Sequence, residues 1–342
     1  MAHSMPLVEL PSEPDADSTV ERSDADAITA RIGRREQFPH AAFSDESIAK
    51  ACAFVPRRTD CFILTAPKTG TSWLQQICHQ LRQGSEAGEM DFEDVYQVVP
   101  WAQMAGDLDQ SLDAEQERNP RLFKSHQRLS SINRGGRYIC TVREPASTMY
   151  SWFTFVKAME IPAAASYATI SEFVFCEEFV SHGMRFGASL WDYYAEFHAC
   201  RLQPNVLVLV FEDLIKDLPG HLPLIASHLG LECTPEIMEA VVGSSVKSFM
   251  QKHTSKFDAS WAYEKMKELN RLPPEKLDCN RPATRVTNRS TERIADLELN
   301  PEATAFLRRM WEERAAPATG CDNYGAMAAE VREELTARRA AL

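Results

Sequence analysis

Hydrophobic positions along the chain follow two alternating spacings. Three short runs are apolar almost throughout: Cys61-Phe-Ile-Leu-Thr-Ala-Pro67, Tyr138-Ile-Cys-Thr-Val142 and Val206-Leu-Val-Leu-Val-Phe211. A fourth, Arg121-Leu-Phe-Lys-Ser-His126, is apolar in its middle and ends in polar groups. Runs this short and this continuous predict strands buried in a parallel sheet. Between them the spacing changes to that of helices. Trp73, Leu74, Ile77, Cys78 and Leu81 fall on one helical face. Met149, Trp152, Phe153 and Val156 mark a second helix after Arg143-Glu-Pro145, and helical patterns recur over 171–200, Leu214–Leu229, Pro235–Val242 and roughly the last 45 residues. The stretch 86–117 reads as loop with short helices, and 250–295 as polar and irregular. No internal repeat is visible.

Strands that alternate with helices imply βαβ units, hence an α/β fold of three layers with a central parallel sheet covered on both faces. The expected organisation is an acidic, flexible segment over residues 1–45, one domain over 46–330 and a helical tail over 331–342. Ligands on such sheets bind at the C-terminal ends of the strands. That rule directs attention to the junctions after residues 66, 126 and 142.

At the first junction, Pro67-Lys-Thr-Gly-Thr-Ser-Trp73 runs from strand to helix. Amide groups at a helix start attract anions, Gly70 allows close approach, Lys68 adds a charge, and Thr69, Thr71 and Ser72 add donors. This is a phosphate cradle in composition, although its Lys precedes the Gly, unlike the common nucleotide-binding loop. An ordinary turn capped by Thr has the same residues. At the second junction, Lys124 and His126 alternate along a strand and share a face. A His beside a cation is a candidate general base, and equally a structural histidine. At the third, Arg143 ends a strand and Ser151 follows eight residues later, two helical turns on. Together they could clamp a phosphate; singly, Arg143 could be a structural ion pair.

Charge narrows the function. The chain has 37 Lys and Arg against 49 Asp and Glu, a net −12, which excludes a nonspecific nucleic-acid binder. The excess sits in two segments. Residues 1–40 carry −4 and residues 86–117 carry −10, leaving the rest at +2, and 118–160 alone carry +6. The longest apolar run is far too short to span a bilayer, and the acidic start resembles neither a secretory signal nor a transit peptide, so the expected location is the cytoplasm with no membrane association. Nine cysteines with no C-x-x-C pair fit reduced structural thiols, and no His/Cys cluster has metal-ligand spacing, so no metal is expected.

Order and spacing carry a resemblance. The loop 67–73 is similar to the P-K-[ST]-G-T-[ST]-W loop of cytosolic-type sulfotransferases, Pro120–His126 to their P-R-x-x-K-[ST]-H segment, and Tyr138–Arg143 through Ser151–Phe155 to their Y-I-x-x-x-R…S-Y-Y-x-F segment. Val206–Asp213 resembles their strand ending in Y-E-D, with Phe211 in place of Tyr. The likeness runs from about residue 57 to about 325. It implies a P-loop-kinase-like fold and transfer of a sulfuryl group from 3′-phosphoadenosine 5′-phosphosulfate (PAPS) to a hydroxyl or amine of a small molecule, with no metal. Carried over, Lys68 to Trp73 would hold the phosphosulfate and adenine, Lys68 stabilising the leaving group. Arg143 and Ser151 would bind the 3′-phosphate and His126 would be the base. Lys124 would steady the sulfuryl oxygens, Phe211 would stack, and Ser244 with Ser245 would contact the nucleotide. The family's late R-x-G-x-x-G-D-W-K segment is not recognisable. One of Arg281, Arg285 or Arg289 is expected to substitute, Arg285 by preference. Val99-Pro-Trp101 is similar to a pocket-lining V-P-F element, which points to Trp101, then Met104 and Phe155, as acceptor contacts; packing accounts for a loop Trp equally well. The dimerisation motif is not evident and leaves the oligomeric state open. Two other readings remain: a P-loop nucleotide kinase or NTPase, and a catalytically inactive nucleotide-binding relative. The charge distribution suggests a neutral or cationic acceptor entering beside 86–117, although a merely solubilising surface there would look the same.

Overall fold

The computed structural model describes residues 42–132, 135–176, 188–286 and 299–342. Residues 1–41 and Arg289 therefore lie outside the described residues, and the described ones belong to the unit Glu36–Leu342. The apolar runs become strands β1 (Cys61–Leu64), β2 (Leu122–Ser125), β3 (Arg137–Val142) and β4 (Val206–Val210). Strands β1, β2 and β4 are one to three residues shorter than their runs, and β3 begins one residue earlier, at Arg137. The sheet is all parallel in the order β2-β1-β3-β4, with Cys61 beside both Leu122 and Arg137, and Tyr138 beside Val206. Strand residues are buried on both faces, as continuous apolar runs require.

The helices are α1 (Asp45–Ala53), α2 (Thr71–Gln83), α3 (Pro145–Ala158), α4 (Leu190–Cys200), α5 (Phe211–Lys216), α6 (Leu218–Leu229), α7 (Pro235–Ser245), α8 (Lys247–Lys252), α9 (Ser260–Leu269), α10 (Pro301–Met310) and α11 (Tyr324–Ala340). Helix α2 packs on β1 and β2 and against α6 and α7, while α4 and α11 pack on the β3–β4 side. The result is the expected three-layer α/β/α architecture. Because β1 is flanked by β2 and β3, the chain reverses its progress across the sheet there, and the crevice opens at the C-terminal ends of these strands.

Two expectations change. The polar stretch after residue 250 is helical in part: α9 and the one-turn helix Pro274–Asp278 follow Phe257, and Met250, Phe257, Ala262, Met266 and Leu272 bury in a second core cluster with Phe92, Tyr96, Trp101 and Met104. Apolar residues spaced this sparsely give a weak periodic signal. The pattern Leu214–Leu229 is two helices, split at Asp217, whose side chain caps the second, with Pro219 in its first turn. Helix α11 runs through residue 330 and buries Met327, Ala328, Val331 and Leu335. No disulfide joins the cysteines among the described residues; Cys61, Cys78, Cys140, Cys176, Cys200 and Cys321 are buried, whereas Cys52 is exposed. Folding also brings His198, Cys321 and Glu330 within 4.8 Å of one another, a proximity no sequence spacing shows. There the Glu330 carboxylate pairs with the Arg201 guanidinium (2.6 Å) and lies 2.9 Å from His198 Nε2.

Candidate active site

The phosphate-like loop adopts a conformation that its residues explain. Lys68 has φ 68° and Gly70 φ 106°, both in the left-handed region, which a lysine occupies only under constraint. The Lys68 carbonyl accepts a hydrogen bond from Arg143 Nη1 (2.9 Å). Gly70 is required twice over: its φ is positive, and a Cβ there would lie 2.7 Å from the Phe211 ring. No side chain caps α2, whose first residue is Thr71. The Thr71 hydroxyl instead pairs with Thr65 (2.6 Å).

Around this loop lies a cavity of about 480 Å³. Its wall includes Lys68, Gly70, Thr71, Ser72, Trp73, Trp101, Lys124, His126, Arg143, Ser151, Phe155, Phe211 and Arg285. The three strand-end junctions thus converge on one volume. Three of the expected residues do not reach it. Thr69 turns its hydroxyl inward to the Ala66 carbonyl and Thr141. Met104 packs in the second core cluster. Ser244 donates back to the Ala240 carbonyl of its own helix, and its neighbour Ser245 lines the wall instead. The Ser245 carbonyl accepts from the Trp73 indole (2.7 Å), which fixes that ring at the cavity edge. Sequence reasoning missed Trp152, inside the Ser151–Phe155 segment, and Lys216, Lys247, Met159 and Val286, which line the wall from helix or loop positions that carry no motif.

The wall is strongly cationic. Lys68, Lys124, Arg143, Lys216, Lys247 and Arg285 contribute to it, and among the described residues no Asp or Glu does. Of the acid-rich segment 86–117 only Trp101 lines the cavity, and its Glu86, Asp109 and Glu115 form surface ion pairs with Arg118, Arg271 and Arg57. Burial and mutual repulsion act on the cations. Lys124 is held well below the usual lysine range by burial, then by Arg285 and Lys68, and Lys68 is lowered by burial, then by Arg285 and Arg143. Aromatic faces partly compensate. Lys68 Nζ lies 3.8 Å from the Phe155 ring centre, and Arg143 Cζ 4.4 Å from that of Phe211. Arg285 stands near the Tyr96 and Phe155 rings, 5.6 Å from each. That places it with Lys124 and Lys68.

His126 follows β2 and is 6% exposed. Its Nδ1 lies 2.8 Å from the Thr65 carbonyl. A carbonyl can only accept, so Nδ1 carries the proton and Nε2 keeps a lone pair. Burial, then Lys124, holds the imidazole well below its ordinary pKa and hence neutral. The Tyr193 hydroxyl donates to the His126 carbonyl and fixes the backbone from behind. The Trp101 ring meets the imidazole edge-on at 5.1 Å. In chemical terms the cavity offers a polycationic cradle, two aromatic faces in Trp73 and Phe211, and a neutral imidazole that carries its proton on Nδ1.

The family description "sulfotransferase domain" matches residues 58–272. Sulfotransferase 4A1 of Mus musculus is 30% identical over 198 residues, covering 55% of this chain, and the chain spans 66% of that relative's length. Two solved structures share the fold. Retinol dehydratase in complex with androsterone and inactive cofactor PAP superposes with a TM-score of 0.58 at 16% identity, over 78% of this chain and 84% of that one. Mouse sulfotransferase SULT7A1 complexed with PAP gives 0.56 at 17% identity, over 86% and 95%. At such identities the likeness is one of fold.

Proposed function

The chain belongs to the sulfotransferase family, and from that premise we propose that it transfers a sulfuryl group from PAPS to the hydroxyl or amine of an uncharged small molecule. One observation carries the reading: buried and half-buried cations with no Asp or Glu on the wall surround a neutral imidazole that carries its proton on Nδ1. A polyanionic donor fits such a wall, since it supplies the charge the wall lacks. The neighbours named above were solved with PAP, the donor without its sulfuryl group, in keeping with this fit. The nucleotide-kinase alternative needs a carboxylate to hold magnesium beside the phosphates, and the described wall has none.

Residue roles follow from position. Lys68, Gly70, Thr71 and Ser72 would hold the phosphosulfate at the start of α2, with Trp73 and Phe211 against the adenine and Arg143 with Ser151 on the 3′-phosphate. Of Ser244 and Ser245, Ser245 would stand at the nucleotide's edge. Arg285 is assigned to the reacting end beside Lys124 rather than to the 3′-phosphate. Bound, the donor supplies the sulfuryl group and a phosphate leaving group. His126 takes the acceptor's proton at Nε2 as the acceptor oxygen or nitrogen bonds to sulfur and the bridging S–O bond breaks. Lys68 stabilises charge on the departing oxygen, and Lys124 balances the sulfuryl oxygens. Trp101, Phe155, Met159 and Val286 offer an apolar wall for the acceptor. Three cations at this end make a cationic acceptor unfavourable, so a neutral phenol, alcohol or amine is the preferred class. The test is transfer of radiolabelled sulfate from PAPS across a panel of neutral, anionic and cationic acceptors. Labelled product from neutral ones is expected; failure with every hydroxyl and amine, or turnover of ATP instead, would refute the reading.

A further inference from the structure

Lys124 is 3% exposed, yet it forms no ion pair among the described residues. What holds it is aromatic. Its Nζ donates to the Tyr96 hydroxyl at 2.8 Å, lies 3.4 Å from the Trp101 ring centre and 4.7 Å from that of Tyr96. Both rings are themselves pinned. The Lys124 amide donates to the Pro100 carbonyl (2.8 Å), which docks Trp101 alongside the strand, and the indole N–H donates to Gln103 (2.9 Å). Tyr96 sits in the one-turn helix Val95–Val98, where Asp94 accepts its amide (2.9 Å) and its carbonyl accepts from Gln110 (2.9 Å). Tyr96 is buried and, unlike Trp101, does not line the cavity. It reaches the reacting atoms through wall residues, by a hydrogen bond to Lys124 and by ring contacts with Trp101 and Arg285.

A carboxylate in this place would cancel the ammonium's charge and compete with an incoming anion. A phenol oxygen and two ring faces fix the ammonium in direction and leave its charge uncancelled. We propose that Tyr96 is a positioning residue for sulfuryl transfer, which with Trp101 aims the Lys124 ammonium at the donor's sulfuryl oxygens. The inference rests on the functional reading above and adds to it a residue that no motif in the sequence marks.

The test separates the sulfuryl group from the rest of the donor. Calorimetric titrations with intact PAPS and with adenosine 3′,5′-bisphosphate, which lacks the sulfuryl group, are made on the wild-type chain, Tyr96→Phe, Lys124→Met and the double variant. Tyr96→Phe keeps the ring and loses the hydroxyl. It should weaken PAPS roughly 10-fold and leave the bisphosphate unchanged, lower kcat without raising the acceptor KM, and add nothing to Lys124→Met. Equal weakening of both nucleotides, or additive effects in the double variant, would overturn the proposal. Should Tyr96→Phe lower the thermal midpoint, Trp101→Phe, which keeps an aromatic face, must show the same split. A wild-type chain that binds neither nucleotide refutes the functional reading itself, and this inference with it.

Discussion

The two ends of the sheet treat buried cations in opposite ways. Before β2, Arg121 is 2% exposed and fully satisfied: Nε and Nη2 grip both oxygens of Asp60 (2.9 and 2.6 Å), and Nη1 donates to the carbonyls of Leu112 and Ala114. Three residues later, at the other end of the same strand, Lys124 is as deeply buried and has a phenol and an indole in place of a carboxylate. Asp60 closes its end of the sheet electrically; at the other end no Asp or Glu stands on the wall beside Lys68, Lys124 and Arg285. A buried charge without its counter-ion is costly, and a fold keeps such a charge where a ligand completes it. The contrast supports a structural role at one end and the proposed binding role at the other.

The comparison can be broken at several points. The largest effect is expected at His126. His126→Ala should lower turnover by about 10²–10⁴-fold while sparing nucleotide affinity, measured by initial rates beside calorimetry. Retained turnover would remove the imidazole from the chemistry. At the opposite edge, Asp60→Ala strands Arg121 and should cost about 3–5 kcal/mol of stability in urea unfolding, with no selective effect on nucleotide binding; a loss near zero would mean that this edge is not closed by the pair.

Much of this contrast can be read in the amino-acid sequence, and part of it cannot. The strands are legible because their runs are apolar on both faces, and the Lys68–Trp73 loop, Lys124, His126, Arg143 and Ser151 because they lie at strand ends or a fixed helical spacing from them. What fails is direction. Thr69 and Ser244 stand beside residues that line the cavity, but a local backbone carbonyl captures each hydroxyl. Met104 follows Trp101 by three residues, yet only Trp101 is drawn to the cavity, by its pairing with Lys124. Tyr96 is invisible for a related reason. It lies in a segment of weak periodicity, and its role depends on a contact across 28 residues. Arg285 has no recognisable motif around it, and only the fold brings it beside the Tyr96 and Phe155 rings.

A smaller effect sharpens the same picture through pH. His126 is held neutral in the folded chain, below its ordinary value of 6.5, first by burial and then by Lys124. An unfolded chain binds that proton as pH falls below about 6.5, so stability contributed by this site is present above that pH and lost below it. Between pH 6.5 and 5, His126→Ala should flatten the fall in unfolding free energy by up to about 1.4 kcal/mol per pH unit. An unchanged slope would show that the imidazole is not withheld from water and cations in the way described.

The central claim is that the open edge is built for a nucleotide carrying a second phosphate. Titration of the wild-type chain and Arg143→Ala with adenosine 3′,5′-bisphosphate and with 5′-AMP tests it most directly. The account predicts one saturable site on the wild-type chain, about 10-fold or more tighter for the bisphosphate, and loss of that preference in Arg143→Ala. Equal affinity for the two nucleotides, or an Arg143→Ala variant that weakens both alike, would contradict it.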